Sequence, residues 1–138
     1  MSTPSPAAAA ARLEPTLQQV SITFFTIDQN KDHDTHVRIT AYDRNNRTIA
    51  LADGTYGEFR ERTYSPRIDL EVTREIPLSQ LRGGRARVRI EITPNGNDTW
   101  AFNFRAPFLF TEGASAEVYQ RERVAVSEDY RTWETPIT

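Results

Sequence analysis

From residue 20 onward apolar side chains recur at every second position. That period lets a chain bury them as β-strands and not as helices. VSITF sets Val20, Ile22 and Phe24 on one face. HVRITAYD turns Val37, Ile39 and Ala41 inward against Arg38, Thr40 and Tyr42, and RIDLEV repeats the pattern through Ile68, Leu70 and Val72. ARVRIEIT aligns Val88, Ile90 and Ile92, and WAFNFRAPFLF aligns Trp100, Phe102, Phe104, Phe108 and Phe110. Weaker alternation runs through residues 48–52, 115–120 and 123–127. Alternation of this kind is what half-buried antiparallel strands require.

Turn chemistry separates the segments. Asn45-Asn46 tolerates positive φ, Asp53-Gly54 marks another bend, and Pro94-Asn95-Gly96 is suited to closing a hairpin. Gly83-Gly84 interrupts the chain after IPLSQL, which is long enough for one helical turn. Short strands at this spacing predict an all-β fold, an antiparallel β-sandwich or jelly roll of about eight strands. Residues 1–16, with Pro4, Pro6 and Pro15 bracketing polyalanine, are expected to form a disordered tail, and residues 17–138 a single β domain. The tail lacks the basic beginning and long apolar centre of a secretion signal. Residence as a secreted module and as part of a larger exported protein both stay open.

Composition narrows the function. A net charge of −2 supplies no field for nucleic acid, and no apolar run reaches the roughly 18 residues of a membrane span. Cysteine is absent, which removes thiolate chemistry and cysteine zinc sites. The two histidines, His33 and His36, give a weak zinc signal without a third. No Gly-x-Ser-x-Gly or phosphate-cradling loop occurs, so the expectation is a protein that is not an enzyme. Basic residues are lopsided, with sixteen arginines against the single Lys31. GC-rich coding is the simpler account, and selection of the arginine fork for carboxylate pairing is the other.

The stretch FTIDQNKDHDTHVRI places Asp28, Asn30, Asp32 and Asp34 at alternate positions between two strands. If successive strands each cross the sheet, connections alternate between its two ends. Loops 28–36, 53–66 and 94–98 then share one end, gathering Asp28, Asn30, Asp32, Asp34, Asp53, Glu58, Asn95, Asn97 and Asp98. Crowded carboxylates repel unless a cation lies between them. Ca²⁺ accepts six to eight oxygens at roughly 2.3–2.6 Å in irregular geometry, which suits loops better than the strict octahedron of Mg²⁺. The expected metal set is Asp28, Asn30, Asp32, Asp34, Asn95, Asn97 and Asp98, beside the plainer reading of a solvated loop. An EF-hand is excluded, because position 6 is His33 and position 12 is Ile39.

The order of DQNKDHDTHVRI, YDRNNRTIA, LRGGRARVRIEI and NGNDTWAFNF, across residues 17–112, resembles the lipoxygenase-homology (PLAT) β-sandwich and more loosely a C2 domain. The resemblance implies an eight-stranded antiparallel sandwich that binds Ca²⁺ at one end and docks a parent protein on lipid or protein. Its first-loop ligands correspond to Asp28, Asn30, Asp32 and Asp34, and a later-loop carboxylate to Asp98. The chain departs from the pattern in having NGNDTW where a C2 domain has a late Asp-x-Asp, and only Tyr56 and Phe59 as candidate bilayer wedges.

Arg85, Arg87 and Arg89 are expected on one outward strand face, paired with acids such as Glu71 or Asp69. Trp100 is expected in the core, with sugar stacking the alternative, and Trp133 to cover a sheet edge or meet a partner. The combined expectation is a non-catalytic Ca²⁺-binding module with a lipid, protein or glycan partner and no nucleic acid. A carbohydrate-binding jelly roll and a metal-free assembly protein are the alternatives.

Overall fold

The computed structural model describes residues 14–82 and 85–137. The expected tail up to residue 13 and the Gly83-Gly84 break lie outside the described residues. The strands are β1 (Leu17–Gln29), β2 (His36–Tyr42), β3 (Thr48–Gly54), β4 (Thr63–Tyr64), β5 (Ile68–Val72), β6 (Arg87–Thr93), β7 (Thr99–Phe110), β8 (Ser115–Ser127) and β9 (Thr132–Pro136). Single 3₁₀ turns occur at Leu78–Leu81, within the predicted helical turn, and at Thr111–Gly113.

All pairings between these strands are antiparallel, in the spatial order β8-β7-β1-β5-β3-β2-β6-β9, with β4 added to β1. The end strands β8 and β9 pack near one another, so the sheet curls almost into a closed barrel. The alternation explains the interior. Val20, Ile22, Phe24, Val37, Ile39, Ala41, Val88, Ile90 and Ile92 are all buried inside the curl. Trp100 is fully buried, as expected, and its indole Nε1 donates to Thr26 Oγ1 at 3.0 Å. Its ring lies 4.2 Å from Phe102 and 4.8 Å from Phe24, measured between centroids, in tilted contact with both.

Three segments differ from the sequence expectation. Residues 14–16, assigned to the tail by composition, are anchored. Pro15 O accepts from Leu78 N at 3.0 Å, and Thr16 N donates to Thr111 Oγ1 at 3.0 Å. The segments 115–120 and 123–127 form one strand, because a register shift opposite Phe102–Phe104 absorbs residues that break the alternation. Arg87 and Arg89 pair with neither Glu71 nor Asp69. Strand β9 pairs with β6 and brings in Glu134, which Arg87 Nε reaches at 2.6 Å and Arg89 Nε at 2.9 Å. Glu71 lies on β5, separated from β6 by β3 and β2. Trp133, on the same edge strand, packs edge-on against Phe104 at 5.7 Å.

The turn between β2 and β3 is organised by Asp43, which is fully buried. Its Oδ1 accepts from Asn45 N at 2.9 Å and Arg47 N at 3.0 Å, and its Oδ2 from Arg47 Nε at 2.8 Å. Burial opposes ionisation, but the Arg47 amide and guanidinium and the Asn45 amide outweigh it and hold the carboxyl below the usual carboxylate range. Asp43→Ala is therefore expected to cost about 2–3 kcal/mol near neutral pH. An unfolded aspartate titrates near 3.9. The stabilisation is thus complete above that value and fades as pH falls through the lower folded value. Urea melts should show a constant gap between variant and wild type from about pH 7 to about pH 4, and a narrowing gap below that.

Candidate binding rim

The expected loops come together at one end of the sheet. β1 ends, β2 begins, β3 ends, β6 ends and β7 begins at one end of the curled sheet, as the antiparallel registers require. Residues 30–35, 55–62 and 94–98 therefore meet at one rim. A fourth segment, 128–131, joins them because β8 runs unbroken to Ser127 before β9 returns.

The rim is organised around Lys31, whose side chain is completely buried. Its Nζ donates to the carbonyl oxygens of Thr55 and Gly57, both at 2.6 Å, of Asp32 at 3.0 Å and of Thr35 at 3.2 Å. Its main chain pairs with Phe59 in both directions at 3.0 Å. The ammonium also sits 4.8 Å from the Phe59 ring centroid, where the negative aromatic face attracts a cation. Tyr56 and Gly57 take positive φ, 59° and 77°. This left-handed pair folds loop 55–62 back over Lys31, and glycine is the residue that adopts such backbone at no steric cost.

Burial pulls the Lys31 pKa down to about 8 against the upward pull of Asp98, Asp32 and Asp34. Near neutral pH the group is still mainly an ammonium, with three protons for four carbonyls. Asp98, 8% exposed, is the nearest organiser on the third loop. Its Oδ2 accepts from Thr35 Oγ1 at 2.5 Å and from Asp32 N at 3.1 Å. Its own amide donates to Glu128 Oε2 at 3.1 Å, which fastens the fourth segment.

Beside this buried centre lies an open hollow of about 460 Å³. Of the seven residues expected as ligands, Asp28, Asn30, Asp32, Asn97 and Asp98 line it, together with Glu61 and Glu128. Asp34 and Asn95 do not. They bond each other, Asn95 Nδ2 to Asp34 Oδ2 at 3.0 Å. Several oxygens in the hollow are already engaged: Asp28 Oδ1 accepts from Arg123 Nε at 2.9 Å, and Asn30 Oδ1 from Glu61 N at 2.7 Å. Among the described residues no three acids or histidines are grouped closely enough to hold a metal ion. The Asp32 carboxyl is exposed, and its pKa is raised by burial of its surroundings and then by Asp98 and Asp34. Of the histidines, His33 is exposed and His36 is paired with Asp53.

Sequence reasoning missed Lys31, Thr35, Glu61 and Glu128. The lysine ratio was a usable signal: a chain with sixteen arginines keeps its one lysine where a compact ammonium fits. Compared with known protein families and with curated proteins, the chain matches none.

Proposed function

We propose that the chain is a non-catalytic binding module, with a β-sandwich-like body and a rim hollow that takes Ca²⁺. The observation that supports the ion most is the shared hollow, which collects five of the seven expected oxygen donors from loops far apart in sequence. Asp98 and Asp34, which add to burial in raising the Asp32 pKa, are charges that a cation in the hollow would offset. Support for a sandwich comes from β5. Its first half pairs with β1 and its second with β3, as a strand shared between two layers would.

In this reading Lys31 orders the loops, and the ion adds to a rim that already exists. Its contribution to stability is correspondingly small. For a Kd of roughly 10⁻⁴–10⁻³ M, millimolar Ca²⁺ adds on the order of 1 kcal/mol. The expected result is a melting temperature higher by about 4 °C in Ca²⁺ than in EDTA, with Mg²⁺ giving less. Asp32→Ala should abolish the rise without lowering the EDTA value, because its side chain is exposed while its amide still bonds Asp98. Superimposable melts in Ca²⁺ and EDTA would remove the ion from the account.

A further inference from the structure

The outer face of the sheet carries a second feature, with a lining that shares no residue with the rim hollow. Strands β4, β1, β7 and β8 lie side by side, and their registers align two cross-strand rows, Tyr64–Phe25–Asn103 and Thr23–Arg105–Tyr119. Partners directly opposite in an antiparallel pair share a face. Phe24 and Phe104 point into the core, so these rows point out. All six residues line one groove of about 470 Å³. We propose that this groove binds a neutral oligosaccharide, with Tyr64 and Tyr119 stacking on sugar rings and Asn103, Arg105 and Thr23 bonding the hydroxyls.

The chemistry of the lining argues for that occupant. Tyr64 is 75% exposed and Tyr119 54%, so both rings are open to a ligand. Neither ring is loose. Tyr64 packs edge-on against Phe25 at 4.8 Å, and Arg121 lies 4.9 Å from the Tyr119 centroid. The two-residue strand that carries Tyr64 is pinned next door: Ser65 N donates to Phe24 O at 2.8 Å, and Phe24 N donates to Ser65 Oγ at 3.0 Å. Three strand spacings of about 4.8 Å separate the two tyrosine strands, which leaves room for a short chain of sugar rings between them. Aromatic faces supply apolar contact for the C–H side of a sugar ring, and a few fixed polar groups supply direction.

Charge selects among ligands. Arg105 is tied to Glu117 at 2.9 Å, so the floor itself offers a neutral pair, and the cation at its margin, Arg121, is spent on the Tyr119 ring. The polar floor of Thr23, Asn103 and Arg105 likewise suits hydroxyls better than lipid chains. The proposal rests on reading the chain as a binding module and is independent of the rim ion.

The test is calorimetric titration of the whole chain with cello-, malto-, laminari-, xylo- and chito-oligosaccharides. Phosphatidylcholine–phosphatidylserine vesicles and heparin are run beside them. At least one neutral oligosaccharide should saturate the protein, and Tyr64→Ala and Tyr119→Ala should each weaken it tenfold or more. Tyr64→Phe and Tyr119→Phe should retain most of the affinity and leave the melting temperature in place, and the alanine variants should still unfold in one cooperative transition. Failure of every neutral sugar to saturate, or equal binding by the Tyr64→Ala/Tyr119→Ala variant, overturns the groove. So does vesicle or heparin binding, without sugar binding, that the same substitutions abolish. Loss of the sugar response with the Ca²⁺ melting shift intact overturns the groove alone and leaves the module reading standing.

Discussion

Lys31→Met is expected to destabilise the fold by about 3–5 kcal/mol, the largest single effect among the rim residues. Methionine nearly conserves the volume, so the loss isolates the ammonium and not the packing of the stem. It leaves the carbonyls of Asp32, Thr35, Thr55 and Gly57 without their donor inside a buried site. An acceptor stranded in that way costs about 1–3 kcal/mol, partly relieved if water enters. For a chain of this size the melting temperature should fall by more than about 10 °C. Lys31→Arg is not expected to rescue, because a planar fork cannot fill a pocket whose acceptors surround a point charge. Scanning calorimetry of the two variants checks both statements.

Asp98→Ala should cost about 2–4 kcal/mol, for a different reason. It removes the acceptor of the buried Thr35 hydroxyl and of the Asp32 amide, and it takes away the charge that most offsets burial of Lys31. Asp98→Asn keeps an accepting oxygen and loses only the charge, so its cost should be smaller. Because Lys31 and Asp98 act through the shared loop 31–35, their effects should not add. A double-mutant cycle by urea melts should return a coupling of about 1 kcal/mol or more. Additive losses would mean that the two loops are held independently.

Much of this architecture was legible because two simple regularities carry it. Period-two alternation fixes the inward residues of β1, β2, β5, β6 and β7, and parity of antiparallel crossings sends loops 30–35, 55–62 and 94–98 to one end. Parity stopped short at β8, where the bulge disguises one strand as two. Read as one, it would have delivered segment 128–131, and Glu128 with it, to the same rim. Strand β9 has only five residues around Trp133, so the partner of the arginine stripe stayed hidden. Lys31 was obscure for a deeper reason. Within its own loop it stands among Asp28, Asp32 and Asp34 and has the composition of a solvated turn. Its burial comes from loop 55–62, folded over it by the left-handed Tyr56-Gly57 pair, and no local pattern encodes that convergence.

The account depends on an internal ammonium, not a bound ion, knitting the loops together. Amide hydrogen exchange in EDTA tests this most directly, read at Lys31 and Phe59, each of whose N–H groups donates to the other's carbonyl across the two loops. The prediction is strong protection of both amides in the wild-type chain without any divalent ion, and loss of that protection in Lys31→Met while the β6 and β7 amides stay slow. Rapid exchange at Lys31 and Phe59 in wild-type protein under EDTA, or equal protection in the variant, would contradict it.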